Sequence, residues 1–399
     1  MSDAAVGSGR HLDLVTMGCR WVLDVSALDD GAAQAMADRW QRCRELASAA
    51  TLVLDEERPT ITAGVPADPY AVSRRLTRTG LQRLAGRVLL LHAAALADDG
   101  GRSLVLVAPS GGGKSTATRT LGRRLRYVSD ESVILLEDHR IAPHPKPPSL
   151  VVDPEHRFRK EEPAPDELGL GPTPTQPSLG RLLALARDPE VTEPSIDRVG
   201  LVDQVLAVLP ETSSTWLLED GLHRLARAVT AGGPPARLRY SEIESCHDLV
   251  RDHLSAEGED PPVWEHLPPT GADRWEGPAG GDDGEGRDGV AGPGADEVHD
   301  DREAGLSAAG LTGAEVLARG AWSDAIASDG EVLVLAGSRP LRLAGPGAVL
   351  WRAAAHGRTV EDLVGAVVGE LGEHPDAGTL VREAAVELVR HGALRQVLR

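Results

Sequence analysis

The sequence predicts an α/β domain built on a phosphate-binding loop, joined by a long linker to a small α+β unit. Three observations predict it. An apolar strand-like run, Leu104 to Val107, leads directly into Ala108-Pro109-Ser110-Gly111-Gly112-Gly113-Lys114-Ser115 and then into a helical stretch. A glycine- and acid-rich segment, residues 256–305, breaks every hydrophobic pattern. Beyond it, two apolar runs around an Asp-Gly turn precede three amphipathic helices.

Residues 1–85 read as an N-terminal α/β region that packs on the loop domain. Strand-like runs (HLDLVTM, RWVLDVS and TLVLD) alternate with a helix around Ala32 to Ser48, and a second helix follows from Asp68 to Gly86. The loop domain itself, residues 86–255, opens with a buried strand at Val88 to Leu96 that contains His92. Asp98-Asp99-Gly100-Gly101 is a hairpin-type turn leading into the strand before the loop. After the loop, Thr116 to Leu125 is expected to be helical. Tyr127 to Ser129 and Val133 to Leu136 are expected as short strands flanking Asp130-Glu131.

Residues 143–177 hold ten of the 28 prolines, too many for regular helix or sheet. They predict a long ordered loop or a mobile flap. Then come a helix at Ser178 to Arg187, a mixed segment at Val199 to Leu209 and a helix at Leu217 to Ala231. A strand at Ala236 to Tyr240 and a helix at Glu242 to Leu254 complete the domain.

Residues 256–305 read as a disordered linker. Between Gly271 and Gly305 there are ten glycines and eleven acidic residues against three arginines. Such a stretch buries too little apolar surface to offset the entropy of ordering its backbone. Trp264 and Trp275 are expected to dock its start onto the first domain. In residues 306–399, Trp322 to Ala327 and Glu331 to Ala336 flank Ser328-Asp329-Gly330, a strong hairpin signal. A strand at Arg339 to Leu343 and helices at Pro346 to Ala355, Val360 to Leu371 and Leu380 to His391 complete a winged-helix-like unit. Thr359 with Asp362 is an imperfect capping box, and Gly392 a natural left-handed stop.

The loop carries the chemistry. Glycines let successive backbone N–H groups turn inward toward phosphate oxygens, and the following helix adds the positive end of its dipole. Only three of the 42 basic residues are lysines, so Lys114 stands where the slender ammonium is required and a broad guanidinium fits poorly. The Ser115 hydroxyl is placed to ligate Mg²⁺.

Composition narrows the function further. The 41% hydrophobic fraction supports globular cores, but with one Phe and three Tyr they are built from Leu, Val and Ala. The formal net charge of −19 argues against generic binding to nucleic acid or to anionic membrane. Cys19, Cys43 and Cys246 are widely spaced, which argues against structural zinc or a disulfide framework and suits a reducing cytoplasm. No signal-peptide core and no membrane-length apolar run is present, so a cytoplasmic protein is expected.

Two resemblances follow from these motifs. LHAAAL (His92), PSGGGKST (Ser110 to Thr116) and YVSDES (Asp130-Glu131) resemble the catalytic domain of HPr kinase/phosphorylase and its relatives. That resemblance implies an HPr kinase/PEP carboxykinase-like nucleotide-binding fold. Thr116 stands where that family has Glu, the acid pair is Asp-Glu rather than Asp-Asp, and no later phosphorylase signature is present. The Lys-Ser-Thr form is similar to kinase-like relatives found beside modified-peptide gene clusters. The C-terminal LRLAGPGAVLWRAAAHGRTVEDLVGAV and VELVRHGALRQ resemble PqqD-like domains, which capture leader segments of ribosomally made peptides.

The resemblances imply ATP and Mg²⁺ as cofactors. Ser110, Gly111, Gly112, Gly113, Lys114, Ser115 and Thr116 would bind the nucleotide, and Ser115, Glu131 and Asp130 the metal. Asp130, Lys114 and His92 would be catalytic, with Asp130 taking a proton from an acceptor hydroxyl. On the residues alone, His92 is either a buried core histidine or a ligand or proton relay beside the phosphates. Lys146 either faces the nucleotide or acceptor or is a solvated loop lysine, and Arg157 and Arg159 are candidates to neutralise transition-state charge. A precursor (leader) peptide is the implied partner, captured by strand addition at the sheet edge near Arg339 to Leu343. Further partners are other peptide-modifying enzymes; nucleic acid and membrane are not expected. The leading expectation is a kinase-like enzyme acting on that peptide. The alternatives are a non-catalytic ATP-binding scaffold in the same biosynthesis, or a housekeeping ATPase or small-molecule kinase.

Overall fold

The computed structural model describes residues 10–151, 160–275, 311 and 313–397. Arg157, Arg159 and residues 276–305 of the expected linker lie outside the described residues. The chain divides into two units of mixed α/β structure. One is drawn from Met1–Ser214 and Arg227–Pro262, the other from Thr215–Ala226 and Val263–Arg399.

The centre of the first unit is a six-stranded sheet. Its strand order is Ser195–Arg198, Ala236–Tyr240, Ser178–Arg187, Arg102–Val107, Ala93–Ala97, Arg126–Ser129. The three strands from Ala236–Tyr240 to Arg102–Val107 run parallel, and the others pair antiparallel. The loop strand lies inside this sheet, and Ser103 with the apolar run Leu104 to Val107 is buried throughout, as a strand covered on both faces requires.

Ser178–Arg187 corrects the sequence reading: it is a strand, not a helix. Its Leu, Ala and Arg residues favour helix intrinsically, but it pairs with parallel neighbours on both sides, and tertiary pairing overrides propensity. Gly180 falls at the register shift between Leu179 and Arg181, which marks the site as an irregular strand.

A second, four-stranded antiparallel sheet orders Thr212–Ser213, Leu89–Leu91, Val133–Leu135 and Ile141–Ala142. The expected single strand from Val88 to Leu96 is therefore two strands in two sheets, changing sheet at His92. The chain changes sheet again between Arg126–Ser129 and Val133–Leu135, at Asp130 to Ser132. These two crossings are adjacent, since the Ala93 N–H donates to the Glu131 carbonyl at 3.1 Å.

The N-terminal region shares a core with this second sheet. Leu14, Trp21, Met36, Trp40 and Leu76 form one buried cluster with Val88, Leu90, Ile134 and Ala142. The expected helix from Ala32 to Ser48 is two helices, Asp30–Arg39 and Gln41–Ala47, broken at the buried Trp40. TLVLD is not a strand; Asp55 alone makes an isolated bridge to Cys19, and the third strand is Thr60–Thr62. The proline-rich stretch contains no exposed flap at its start. Residues 143–148 are buried, anchored by the His144 N–H on the Val128 carbonyl (3.0 Å) and the Met17 N–H on the Pro143 carbonyl (2.9 Å). Leu150–Val151 and Lys160–Glu161 then pair antiparallel.

In the second unit, Glu265–His266, Asp324–Ser328, Glu331–Ala336 and Arg339–Leu343 form a four-stranded antiparallel sheet. Asp329 and Gly330 both have positive φ (51° and 78°), the two-residue turn that the Asp-Gly signal predicts. The helices are Pro346–Ala353, Val360–Leu371 and Ala377–Arg390. Thr359 Oγ1 accepts the Asp362 N–H at 3.1 Å, and Gly392 (φ 75°) follows the last helix. Arg358–Thr359, Val316–Arg319 and Leu394–Val397 make a second small sheet. Residues Glu265–His266 are thus a strand rather than part of a linker. Trp264 and Trp275 bond within this unit, to the His223 ring (3.2 Å) and the Trp322 carbonyl (3.0 Å).

Candidate active site

The loop is shaped by its backbone. The Gly112 N–H closes on the Pro109 carbonyl at 2.8 Å, and a Cβ at Gly112 would lie 2.8 Å from that of Ala108, so only glycine fits. Gly113 has φ 96°, a left-handed conformation that turns the chain into the helix Lys114–Leu121. No side chain caps this helix, and its first residues, Lys114, Ser115 and Thr116, line the same pocket as the loop. Lys114 is 7% exposed. Its Nζ donates to the Ala108 carbonyl, lies 3.4 Å from the Pro109 carbonyl and 3.7 Å from Glu211 Oε2. Burial lowers its pKa, opposed by the Glu211 carboxylate.

A pocket of about 340 Å³ joins this loop to the sheet crossings. Ser110, Gly111, Gly113, Lys114, Ser115 and Thr116 line one side, and His92, Asp130 and Glu131 line it with them. Gly112 shapes the turn without lining the pocket. A strand that changes sheet must kink, and a kink turns a side chain out of the sheet's own layers. This is why His92 is 45% exposed on its side chain rather than buried in the core. His92 Nδ1 lies 3.0 Å from Glu211 Oε2, and the His92 N–H donates to the Glu211 carbonyl at 2.6 Å.

Behind the acid pair stands Lys146, fully buried. Its Nζ lies 3.2 Å from Glu131 Oε2, 3.5 Å from Asp130 Oδ1 and 4.0 Å from Glu162 Oε1, and donates to the Pro147 carbonyl and Ser149 Oγ. Tyr127 Oη is 2.9 Å from Asp130 Oδ1 and 3.0 Å from the Lys146 carbonyl. Ser149 Oγ donates to Glu162 Oε1 at 2.6 Å, and Ser73 from the N-terminal region donates to Oε2. His144 is held between Thr16 (2.7 Å) and Thr77 (3.3 Å).

The electrostatics follow from this packing. Burial disfavours the Lys146 ammonium, but Asp130, Glu131 and Glu162 outweigh it and raise its pKa. Burial also opposes ionisation of Glu131, yet Lys146 foremost pulls its pKa down to about 2. Asp130 moves the other way: burial raises its pKa, helped by Glu131 and opposed by Lys146. Burial raises Glu162 and lowers His144 to about 3, so His144 is neutral. Two adjacent carboxyls with opposite shifts are the pattern of an acid pair divided between a base and a fixed charge.

Sequence reasoning placed Lys114, Ser115, Asp130, Glu131 and His92 together, and the structure gathers them at one pocket. Lys146 is not a solvated loop lysine and does not line the pocket; it stands against the acid pair from behind. Glu211, Glu162 and Tyr127 were missed. Glu211 gave no signal, being one acid in a helix-to-strand turn. The scarcity of lysine points to the three lysines instead: Lys114 and Lys160 line the pocket and Lys146 backs it.

Among the described residues, no group of three or more His, Cys, Asp or Glu side chains is arranged to hold a metal ion unaided. The Ser115 hydroxyl and the Asp130 and Glu131 carboxylates nevertheless offer hard oxygens to one pocket. That set suits Mg²⁺ when phosphate oxygens complete the coordination. Among the described residues, no helix is long and apolar enough to cross a membrane.

No family model matches the sequence, and no curated protein matches it significantly. Among solved structures, the chain is similar to the Hpr(Ser) kinase/phosphatase from Coxiella burnetii. The identity is 14%, over 41% of this chain and 95% of that one, with a TM-score of 0.26.

Proposed function

We propose that the first unit binds ATP with Mg²⁺ and transfers its γ-phosphoryl group to a hydroxyl. One observation carries this reading: the loop of Lys114 and Ser115 and the acid pair Asp130-Glu131 line a single pocket. Lys114 and the loop amides would hold the phosphates, and Ser115 with Glu131 would hold the ion, which neutralises phosphate charge when bound. Asp130, whose pKa burial raises, would accept the acceptor's hydroxyl proton while the oxygen bonds to phosphorus and the bond to ADP breaks. His92, tied to Glu211, would sit beside the transferred group as ligand or relay. The kinship that the sequence motifs suggest, an HPr kinase-like enzyme of the cytoplasm, agrees with this chemistry.

In the same proposal, the second unit captures a precursor peptide by strand addition. Arg339–Leu343 is the last strand of its sheet, and Arg339, Pro340 and Arg342 are exposed. Pro340 has no N–H, so a pairing peptide would rely on carbonyls and the remaining amides of that edge. Other peptide-modifying enzymes would be further partners.

The scaffold reading has one observation in its favour. Asp130 is nearly buried, and its Oδ1 is already engaged by Tyr127 and Lys146. One experiment separates the two. The full chain is incubated with γ-labelled ATP, Mg²⁺ and the peptide encoded beside its gene. Label on the peptide, lost in Asp130→Asn, supports transfer; leader binding and ATP binding without label support the scaffold.

A further inference from the structure

Three carboxylates and one ammonium are grouped at and behind the acid pair that lines the pocket. Lys146 Nζ lies within 4.0 Å of Asp130, Glu131 and Glu162, which come from a sheet crossing and from the strand arm around Lys160–Glu161. Lys146 and Glu162 are both fully buried on their side chains. Acids gathered around one point in a water-poor site either hold a proton or take up a cation, often a divalent metal ion, to offset their mutual repulsion. Here the compensation is a side chain.

The chain invests in placing it. Pro143, Pro145, Pro147 and Pro148 fix the backbone on both sides of Lys146, and the segment is buried and bonded to Val128 and Met17. The Tyr127 hydroxyl meets the Lys146 carbonyl at 3.0 Å, so the residue that touches Asp130 also fixes the backbone carrying the ammonium. Ser149 bridges the cluster, accepting from Nζ and donating to Glu162.

We infer that Lys146 is a resident cation that takes the place of a protein-held divalent ion behind the acid pair. The pair therefore binds no metal on its own, and the only ion at the site is the one that enters with a nucleotide. Lys146 is a positioning residue: it holds Asp130 and Glu131 without touching the phosphates. The inference deepens the phosphoryl-transfer reading and rests on it for the nucleotide-borne ion, but its first half concerns the nucleotide-free protein alone.

Mn²⁺ binding, followed by electron paramagnetic resonance on the full chain, tests it in two arms. Without nucleotide, the wild type is expected to bind no Mn²⁺ at micromolar concentration. Lys146→Ser, which removes the ammonium and leaves a small oxygen, is expected to gain one site per chain, lost again in the Lys146→Ser, Glu162→Gln double variant. One nucleotide-free Mn²⁺ site in the wild type, abolished by Asp130→Asn, overturns the inference whether or not the serine variant folds. A folded Lys146→Ser chain that binds no Mn²⁺ overturns it as well. In the second arm, ATP is added to the wild type, and one Mn²⁺ per bound nucleotide is expected; two overturn the inference. If ATP itself does not bind, the phosphoryl-transfer reading fails while the first arm still stands or falls by itself.

Discussion

His92 Nδ1 stands 3.0 Å from the Glu211 carboxylate, although 119 residues separate them in sequence. The same Glu211 oxygen lies 3.7 Å from Lys114 Nζ. A negative charge so close to the phosphate-binding lysine opposes an incoming polyphosphate. Glu211→Gln is therefore expected to tighten ATP binding several-fold, roughly 1 kcal/mol, as read by calorimetric titration. Weaker binding in this variant would assign Glu211 to the ion instead.

Lys114 is expected to tolerate neither Ala nor Arg. Removing a charge-assisted contact to phosphate weakens nucleotide binding on the order of 100-fold, and the guanidinium does not fit beside the Ala108 and Pro109 carbonyls. Fluorescent-nucleotide titration of Lys114→Ala and Lys114→Arg reads this directly. Near-native affinity in the arginine variant would show that only charge is needed.

His144 makes the first unit acid-sensitive. Its folded pKa is depressed to about 3, by burial first and then by the Lys146 charge. A histidine held neutral stabilises the fold above its unfolded pKa, and that stability is lost as pH falls toward the folded value. Between pH 7.5 and 5 the loss is expected to be about 2 kcal/mol. Urea unfolding followed by the buried Trp21 and Trp40 measures it, and His144→Gln should flatten the slope.

Arg42 fastens the N-terminal region to the loop domain. Buried to 4% exposure, it donates to the Leu170 and Gly171 carbonyls, both at 2.6 Å, and pairs with Asp166 at 2.7 Å. Arg42→Met keeps the packing and strands these acceptors, so a loss of about 3 kcal/mol is expected in urea unfolding. A loss under about 1 kcal/mol would mean that water replaces the guanidinium.

Much of this site is legible in the sequence because it is local. Strand, glycine turn, lysine and helix occupy consecutive residues, so the loop declares itself between Leu104 and Leu125. Asp130 and Glu131 are read from a strand end. What escapes is what folding brings from afar. Ser73 and Glu162 meet through the arm after the prolines, and Glu211 reaches His92 only because Thr212–Ser213 joins the second sheet. Ser178–Arg187 is misread for the opposite reason: its local preference is helical, and only its two parallel neighbours make it a strand. The prolines at 143–148 signal irregularity correctly but not burial, which depends on Met17 and Val128 far along the chain.

The distribution of amines has a practical outcome. Lys114, Lys146 and Lys160 are the only lysine side chains in 399 residues, and all three stand at or behind one cavity. An acylating reagent selective for primary amines thus becomes a reporter for this cavity with no background from other lysines, and shielding of Lys114 and Lys160 by a bound molecule would be visible by peptide mass spectrometry.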